Sequence, residues 1–270
     1  MTLDLVDIGA NLTHESFRDD RAAVIERARA AGVRQMIVTG STVDESRAAV
    51  ELAVQYRGEL YATAGVHPHR ARELNSQTIP ELREIARDPV VVAVGECGLD
   101  YFRNFSPHED QERAFHAQLD LARELQAPAF LHQRDAHSRF VAILREHRSR
   151  LACVVAHCFT GTAEELDDYL ALDLHIGITG WICDERRGAH LRELVRRIPL
   201  ERLMVETDSP YLLPRDLDPK PKTRRNEPMY LAHVLRVVAA CRGEDPQSLA
   251  AATSATARRF FRIEPAQSRA

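Results

Sequence analysis

The sequence predicts an α/β protein of the (β/α)8 barrel class with extra C-terminal helices, and three observations predict it. Eight short β-rich apolar runs punctuate the chain, helical patterns fill the intervals, and 270 residues suit a barrel of about 250 with a few additional elements. The expected strands are residues 3–8, 35–39, 60–64, 90–94, 129–131, 152–156, 174–178 and 203–206. Between them, residues 21–31, 44–56, 109–125, 138–147, 163–170 and 191–197 space apolar side chains three and four apart, which lays one apolar stripe along a helix. Strand, helix and strand in repetition require crossover connections, so the strands pair in parallel. Eight such repeats favour a closed barrel over an open doubly wound sheet, and no Gly-x-Gly-x-x-Gly opens the first helix. Two further helical stretches, 229–241 and 247–261, follow strand eight and are expected on the barrel's outside. Residues 215–228, rich in Pro and Arg, read as a long loop. A single domain over residues 1–264 and a disordered tail at 265–270 complete the expected organisation.

Composition narrows the function classes. With 44% hydrophobic and 28% charged residues the chain can bury a sizeable core, and a net charge of −4 excludes a protein that coats nucleic acid by bulk electrostatics. Phosphate recognition would have to be local. The five cysteines, Cys97, Cys153, Cys158, Cys183 and Cys241, are odd in number and form no Cys-x-x-Cys, which points to a reducing compartment rather than a disulfide framework or thiolate zinc site. The first residues lack the apolar core of a signal peptide, and no run of about 18 apolar residues could cross a membrane. A cytoplasmic monomer is the expectation.

In a (β/α)8 barrel, function sits at the C-terminal ends of the strands. There the sequence places Asp7 with Asn11 just beyond, Gly65 leading into Val66-His67-Pro68-His69, Gly95-Glu96-Cys97-Gly98-Leu99-Asp100, His132, His157, and Glu206-Thr207-Asp208-Ser209-Pro210. Glu96, His132 and His157 make a carboxylate and two-imidazole set that suits a first-row divalent ion with positions left for water, and Asp208 is either a fourth ligand or a base. An ion there lowers the pKa of bound water from about 16 toward about 7, which creates a hydroxide nucleophile at neutral pH. Singly, each residue has a plainer reading: a hydrogen-bonded structural imidazole, or a helix-capping acid. Their coincidence on consecutive strands favours the metal.

Other residues divide between function and structure. His67 and His69, stiffened by Pro68, either bind phosphate or donate a proton, or are solvated loop imidazoles. Arg134 is suited to hold an anionic group bidentately, while Asp135 equally caps the next helix. Lys220, Lys222, Arg224 and Arg225 put four cations in six residues, a local phosphate-docking cluster or a solvated charge run. Asp184-Glu185-Arg186-Arg187 divides in the same way, between a functional run and acid and base paired with each other. Trp181 either stacks a base or plugs the barrel mouth, and Cys97, Cys158 and Cys183 fit small buried packing.

Read together, Ala64-Gly65-Val66-His67-Pro68-His69, Gly95-Glu96-Cys97-Gly98-Leu99-Asp100-Tyr101, His157-Cys158-Phe159-Thr160-Gly161 and Glu206-Thr207-Asp208-Ser209-Pro210-Tyr211-Leu212 resemble the TatD family of metal-dependent deoxyribonucleases. The opening Asp7-Ile8-Gly9-Ala10-Asn11-Leu12-Thr13, the run Gly177-Ile178-Thr179-Gly180-Trp181 and Arg224-Arg225-Asn226-Glu227-Pro228 extend the resemblance over essentially the whole chain. It implies a (β/α)8 barrel and 3′→5′ exonuclease hydrolysis of single-stranded DNA and RNA, with a role in repair of oxidative DNA damage. It implies Mg2+, although imidazole ligands suit Mn2+ or Zn2+ better. Residue by residue, Glu96, His132 and His157 match the family's metal positions, Asp208 its strand-eight catalytic or metal-binding aspartate, and His67 the histidine near the scissile phosphate. The family's strand-one Asp-x-His-x-His is here Asp7-x-Gly9-x-Asn11, which implies one well-built metal site and a second completed by substrate oxygens.

The mechanism expected on this reading has Asp208 deprotonating the attacking water, Glu96 in the metal cage, and positive charge from the ion, His67 and nearby Arg residues (Arg134, Arg224, Arg225) stabilising the pentacovalent phosphate. Two rivals stand beside it: an amide or ester hydrolase or deacylase of the same barrel group, and a non-catalytic nucleic-acid-binding barrel.

Overall fold

The computed structural model of the protein describes residues 3–266; of the tail expected at 265–270, positions 267–270 lie outside the described residues. In chain order the elements are β1 (Leu5–Ala10), α1 (Arg21–Ala30), β2 (Val33–Val38), α2 (Val43–Gln55), β3 (Leu60–Ala64), α3 (Thr78–Ile85), β4 (Val91–Asp100), α4 (His108–Leu125), β5 (Ala129–Arg134), α5 (His137–His147), β6 (Val154–Ala156), α6 (Ala163–Ala171), β7 (His175–Ile178), α7 (Leu191–Leu194), β8 (Leu203–Val205), α8 (Leu231–Arg242) and α9 (Pro246–Phe261). The strands follow one another in sequential order in one eight-stranded sheet, and a parallel bridge from Ala10 to Ser209 joins the ends of β1 and the segment after β8. This order and alternation are those of a (β/α)8 barrel.

Local chemistry sets the helix limits. Thr42 accepts the Glu45 amide at 3.1 Å ahead of α2, half of a Thr-x-x-Glu capping signature. Asp245 accepts the Ser248 amide at 2.9 Å, with Pro246 in the first helical position of α9. Gly243, at φ +70°, ends α8 in the left-handed conformation that glycine adopts without steric penalty. The helix α3, which carries Pro80 in its first turn, is additional to the helical segments expected from sequence. A proline there removes no helical hydrogen bond.

The chain divides into two compact units, Met1–Val38 with Cys158–Leu166 and Ile176–Ala270, and Thr39–His157 with Asp167–His175. In the first, α8 and α9 pack on β1 and β8, and Leu5, Leu235, Val238, Phe260 and Phe261 are buried. Each such side chain contributes roughly 1.5–3 kcal/mol of burial. The loop at 215–228 is tied down at its far end: Arg225 reaches Asp20 at 2.7 Å and Glu227 at 2.8 Å, while Arg27 of α1 reaches Glu227 at 2.7 Å and Asp20 at 3.1 Å. The hydrogen bond from Arg225, with Arg27 beside it, holds the Asp20 carboxyl down at about 2 against the ordinary 3.8.

The second unit holds β3 to β6, with Phe115 of α4 stacked on Phe140 of α5 at 5.3 Å in its core. β4 and β5 extend past the expected 90–94 and 129–131 to Asp100 and Arg134, and β1 starts and ends two residues later than expected. The apolar pattern stops where Glu96, Gly98 and Asp100 begin, but backbone pairing continues, Gly98 opposite His132 and Asp100 opposite Arg134. Between Val94 and Cys97 the register shifts: β4 advances three residues while β5 advances two, from Ala129 to Leu131. The extra residue makes a bulge at Gly95-Glu96, a device that re-aims a side chain. Only glycine fits on either side of it. A Cβ on Gly95 (φ +140°) would lie 2.2 Å from the Phe130 carbonyl oxygen, and one on Gly98 (φ +144°) 1.9 Å from that of His132.

Two outcomes follow for stability. Because the folded pKa of Asp20 lies below its ordinary value, its pairing contributes above about pH 4 and is lost as pH falls toward about 2. Asp20→Asn therefore lowers Tm by at most a few degrees at pH 7, the pair being partly solvated, and its difference from wild type shrinks on acidification in thermal melts. Gly98→Ala destabilises by about 2 kcal/mol or more, read from the denaturant midpoint, because the new methyl cannot avoid the His132 carbonyl.

Candidate metal centre

Four of the expected site residues meet in the second unit. One carboxylate oxygen, Oε1 of Glu96, lies 2.7 Å from His157 Nε2, 2.9 Å from His132 Nδ1 and 3.2 Å from His67 Nε2. The His132 and His157 nitrogens are 3.4 Å apart. Three elements deliver these groups: the bulge in β4 aims Glu96, the paired β5 presents His132, and His157 directly follows β6. The last is a backbone extension of that strand, its N–H donating to Leu131 O at 2.9 Å. Phe130 stacks on the His157 ring at 4.8 Å and limits its rotation. Glu96 and His132 are thus inside extended strands rather than in loops after them, as the sequence had suggested.

His67 comes from the end of β3, where a Cβ on Gly65 would run into the backbone of Gly95 at 2.4 Å. It caps the short 3-10 helix Pro68–Glu73, its Nδ1 accepting the His69 amide at 3.1 Å. With Nδ1 an acceptor, the neutral ring carries its proton on Nε2, the atom that faces Glu96. Burial pushes the His67 imidazole down to about 4, against the opposing pull of Glu96. The ring is therefore neutral at neutral pH, and it differs from the cationic phosphate clamp expected from sequence.

Charge in the cluster sits on Glu96. Burial alone would raise its pKa, but His157, His67 and the hydrogen bonds from His132 and His157 outweigh it and hold the carboxyl well below the usual range. Burial would likewise lower His132, yet the carboxylates of Asp100, 3.5 Å from its Nε2, and of Glu96, which accepts from its Nδ1, raise it above the ordinary value. Asp100 is a member of the cluster to which the sequence reading gave no role. It is 1% exposed, accepts His69 Nε2 at 2.7 Å and the Arg103 and Phe102 amides at 2.8 and 3.0 Å, and lies 3.5 Å from His132 Nε2. These donors keep it ionised despite burial. The signal was present: Glu96, Gly98 and Asp100 alternate along one strand, so the two acids share a face.

Buried His132 Nε2 makes no hydrogen bond of good geometry. Together with a carboxylate oxygen meeting three imidazoles, this is a donor set that fits a divalent cation better than it fits mutual hydrogen bonding, since three rings cannot all donate along the two lone pairs of one oxygen. His67, Glu96 and His132 offer ligand atoms within 4.8 Å of one another. Among the described residues, His116 with Glu146 and His147, and Cys183 with Asp216 and His233, also cluster at this spacing.

Asp208 belongs to the first unit, where its setting is equally specific. Its backbone is left-handed (φ +53°), its N–H donates to Gly9 O at 2.8 Å, and Asn11 Nδ2 donates to its Oδ1 at 3.0 Å. The residue standing where the family motif has a second histidine thus holds this carboxylate. Asp7 is fully buried, accepts Thr207 N–H at 2.9 Å and Gly9 N–H at 3.2 Å, and is pushed up to about 7 by burial against those bonds. Glu206, also unexposed, accepts the N–H of Cys158, itself left-handed at φ +47°, and Gly177 leaves the room that Glu206 fills. The chain direction immediately after His157 is set by that bond.

The Arg134 guanidinium lies 3.9 Å from the centre of the Phe102 ring. Arg225 is committed to Asp20 and Glu227, whereas Arg224, Lys220 and Lys222 are exposed. Asp184 pairs with Arg187 at 3.0 Å and Arg215 at 3.1 Å, so that run takes its structural alternative, and Arg187 covers Trp181 at 4.6 Å.

A profile of the family described as TatD related DNase matches residues 6–262. A protein of Citrobacter koseri named 3′-5′ ssDNA/RNA exonuclease TatD is 55% identical over 259 residues, spanning 96% of this chain and 99% of that one. The crystal structure of a TatD-family hydrolase from Entamoeba histolytica has a TM-score of 0.88 at 27% identity, covering 98% of this chain and all of that one. That of YjjV, a TatD homologue from Escherichia coli, gives 0.88 at 28% identity with the same coverage. With the profile spanning nearly its whole length, the chain belongs to the TatD-related DNase family.

Proposed function

We propose that the protein is a metal-dependent 3′→5′ exonuclease that hydrolyses phosphodiesters of single-stranded DNA and RNA. The observation that carries this reading is the meeting of His67, His132 and His157 on one oxygen of Glu96. The name of the relative that shares more than half its residues supplies the substrate.

Glu96, His132 and His157 would hold the ion, Mg2+ first on the family resemblance, with Mn2+ and Zn2+ matched better by the imidazoles. A bound divalent ion supplies Lewis-acid charge toward phosphoryl oxygen and acidifies coordinated water. The chain's own groups supply the rest. Ionised Glu96 compensates the cation in a buried setting. Asp100 orients His132 and His69 through the hydrogen-bonded and ion-pair contacts described above, the arrangement by which an outer carboxylate fixes a ligand imidazole. His67, neutral and carrying its proton on Nε2, donates a hydrogen bond to a phosphoryl oxygen rather than a full charge. The role of Asp208 as base or further ligand rests on the family motif and on how firmly Asn11 and Gly9 hold its carboxylate. Arg134, Arg224 and Arg225 remain substrate contacts in this proposal, Arg225 the least available of them.

Monomeric, cytoplasmic action in DNA repair belongs to the same proposal. It is supported by the resemblance alone. No helix of the described residues is long and apolar enough to cross a membrane.

With a divalent metal present, wild type releases mononucleotides from a 3′-labelled single strand ahead of any label from a 5′-labelled one, and Glu96→Gln and His157→Ala reduce release to background with circular dichroism unchanged. Near-normal turnover by either variant overturns the site. Absence of release by wild type, with hydrolysis of amide or ester substrates instead, selects the carbonyl-hydrolase rival. Asp100→Asn, by removing the anchor of His132, weakens metal affinity about 10- to 100-fold in a chelator-competition titration while Glu96 and His157 stay in place.

A further inference from the structure

The loop between β4 and α4, residues 101–107, carries two of the four large hydrophobic side chains that stand exposed among the described residues, Phe102 at 52% and Phe105 at 51%. Single exposed rings are ordinary on protein surfaces. These two differ because the backbone that presents them is pinned. Ser106, fully buried, donates its hydroxyl to the His69 carbonyl at 3.0 Å and accepts the Arg72 amide at 3.1 Å, while its own carbonyl takes Gln111 Nε2 at 2.9 Å. The Phe102 amide is bound to Asp100, the carboxylate that orients His132. A rigid loop that holds apolar rings in water has forgone an easy rearrangement that would bury them.

The rings also lead away from the metal centre. Phe105 meets His69 edge to face at 4.8 Å, and His69 meets His67 at 4.2 Å. The Arg134 guanidinium lies over Phe102 at 3.9 Å, with that of Arg103 at 5.6 Å. Aromatic faces interleaved with guanidinium groups are how single strands are bound without sequence preference, because every base offers a π-face and a planar cation can stack or take phosphate.

We propose that Phe105 and Phe102 form a stacking platform for the bases of a single strand: Phe105 takes the base next to the phosphate at His67, and the Phe102–Arg134 stack takes its neighbour. This rests on the nuclease reading above and adds a physical origin for single-strand preference, since a paired base within a duplex has no face to offer.

The test compares the metal-loaded full chain on single strands that end in an intact or an abasic 3′ nucleotide. Wild type favours the intact end about tenfold in kcat/KM, and Phe105→Leu, which keeps an apolar side chain on the same loop, loses that preference through KM, its loss on the intact end exceeding its loss on the abasic end. Equal losses on both substrates, or no loss on either, overturn the platform but leave the nuclease reading intact. Failure of wild type on both substrates overturns the nuclease reading instead, and the platform is then read without turnover. In EDTA, wild type quenches the fluorescence of a 3′-terminal 2-aminopurine strand and Phe102→Leu/Phe105→Leu does not; absence of quenching by wild type overturns it.

Discussion

The carboxylate of Glu96 is the constraint around which the second unit is arranged. An ionised acid out of water is tolerated only where other groups supply what water did, and here three imidazoles do so at a single oxygen. Bringing it there requires an extra residue in β4, and the extra residue requires two neighbours without side chains, since the β5 carbonyls leave no space for a Cβ. Glu96 in turn accounts for the suppressed acidity range of its surroundings: His132 is held more basic than usual because two carboxylates face it, while His67 is held neutral because burial outweighs one. Backbone crowding, ligand placement and electrostatics are therefore one problem solved at one position.

The first unit shows the same economy with different groups. Asp7, Thr207 and Ser209 form a buried polar set that sets the path of the chain beyond β8, and Asp208 emerges from it in a left-handed conformation with its carboxylate met by Asn11. A strained backbone held by several hydrogen bonds is the usual mark of a side chain that must point one way. Asp7, read from sequence as part of the reactive rim, is here a buried hydrogen-bond acceptor for the neighbouring chain.

What could be read from the residues alone follows from which forces are local. Strand and helix alternation is written in hydrophobic periodicity, so eight strands and most helices were legible, and the strand-end positions of Glu96, His132 and His157 pointed to one cluster. The ends of β4 and β5 were not legible, because backbone pairing continues through Glu96, Gly98, Asp100, His132 and Arg134 after the apolar signal has stopped. Asp100 was given no role for that reason, although its alternation with Glu96 and Gly98 was visible. The neutrality of His67 depends on burial by segments distant in sequence, and the Asn11 to Asp208 bond spans 197 positions. Neither leaves a trace in local pattern. The cations at Lys220, Lys222, Arg224 and Arg225 read equally as a phosphate-docking cluster or a solvated charge run; Arg225 is committed to Asp20 and Glu227, and the other three are exposed.

Asn11 carries one more consequence. A side-chain amide has no titration in the physiological range, so the partner of Asp208 offers the same dipole and the same donor from acid to alkaline conditions. An imidazole at that position would change its charge near neutrality. With an amide in place of a ring, the aspartate keeps an unvarying neighbour.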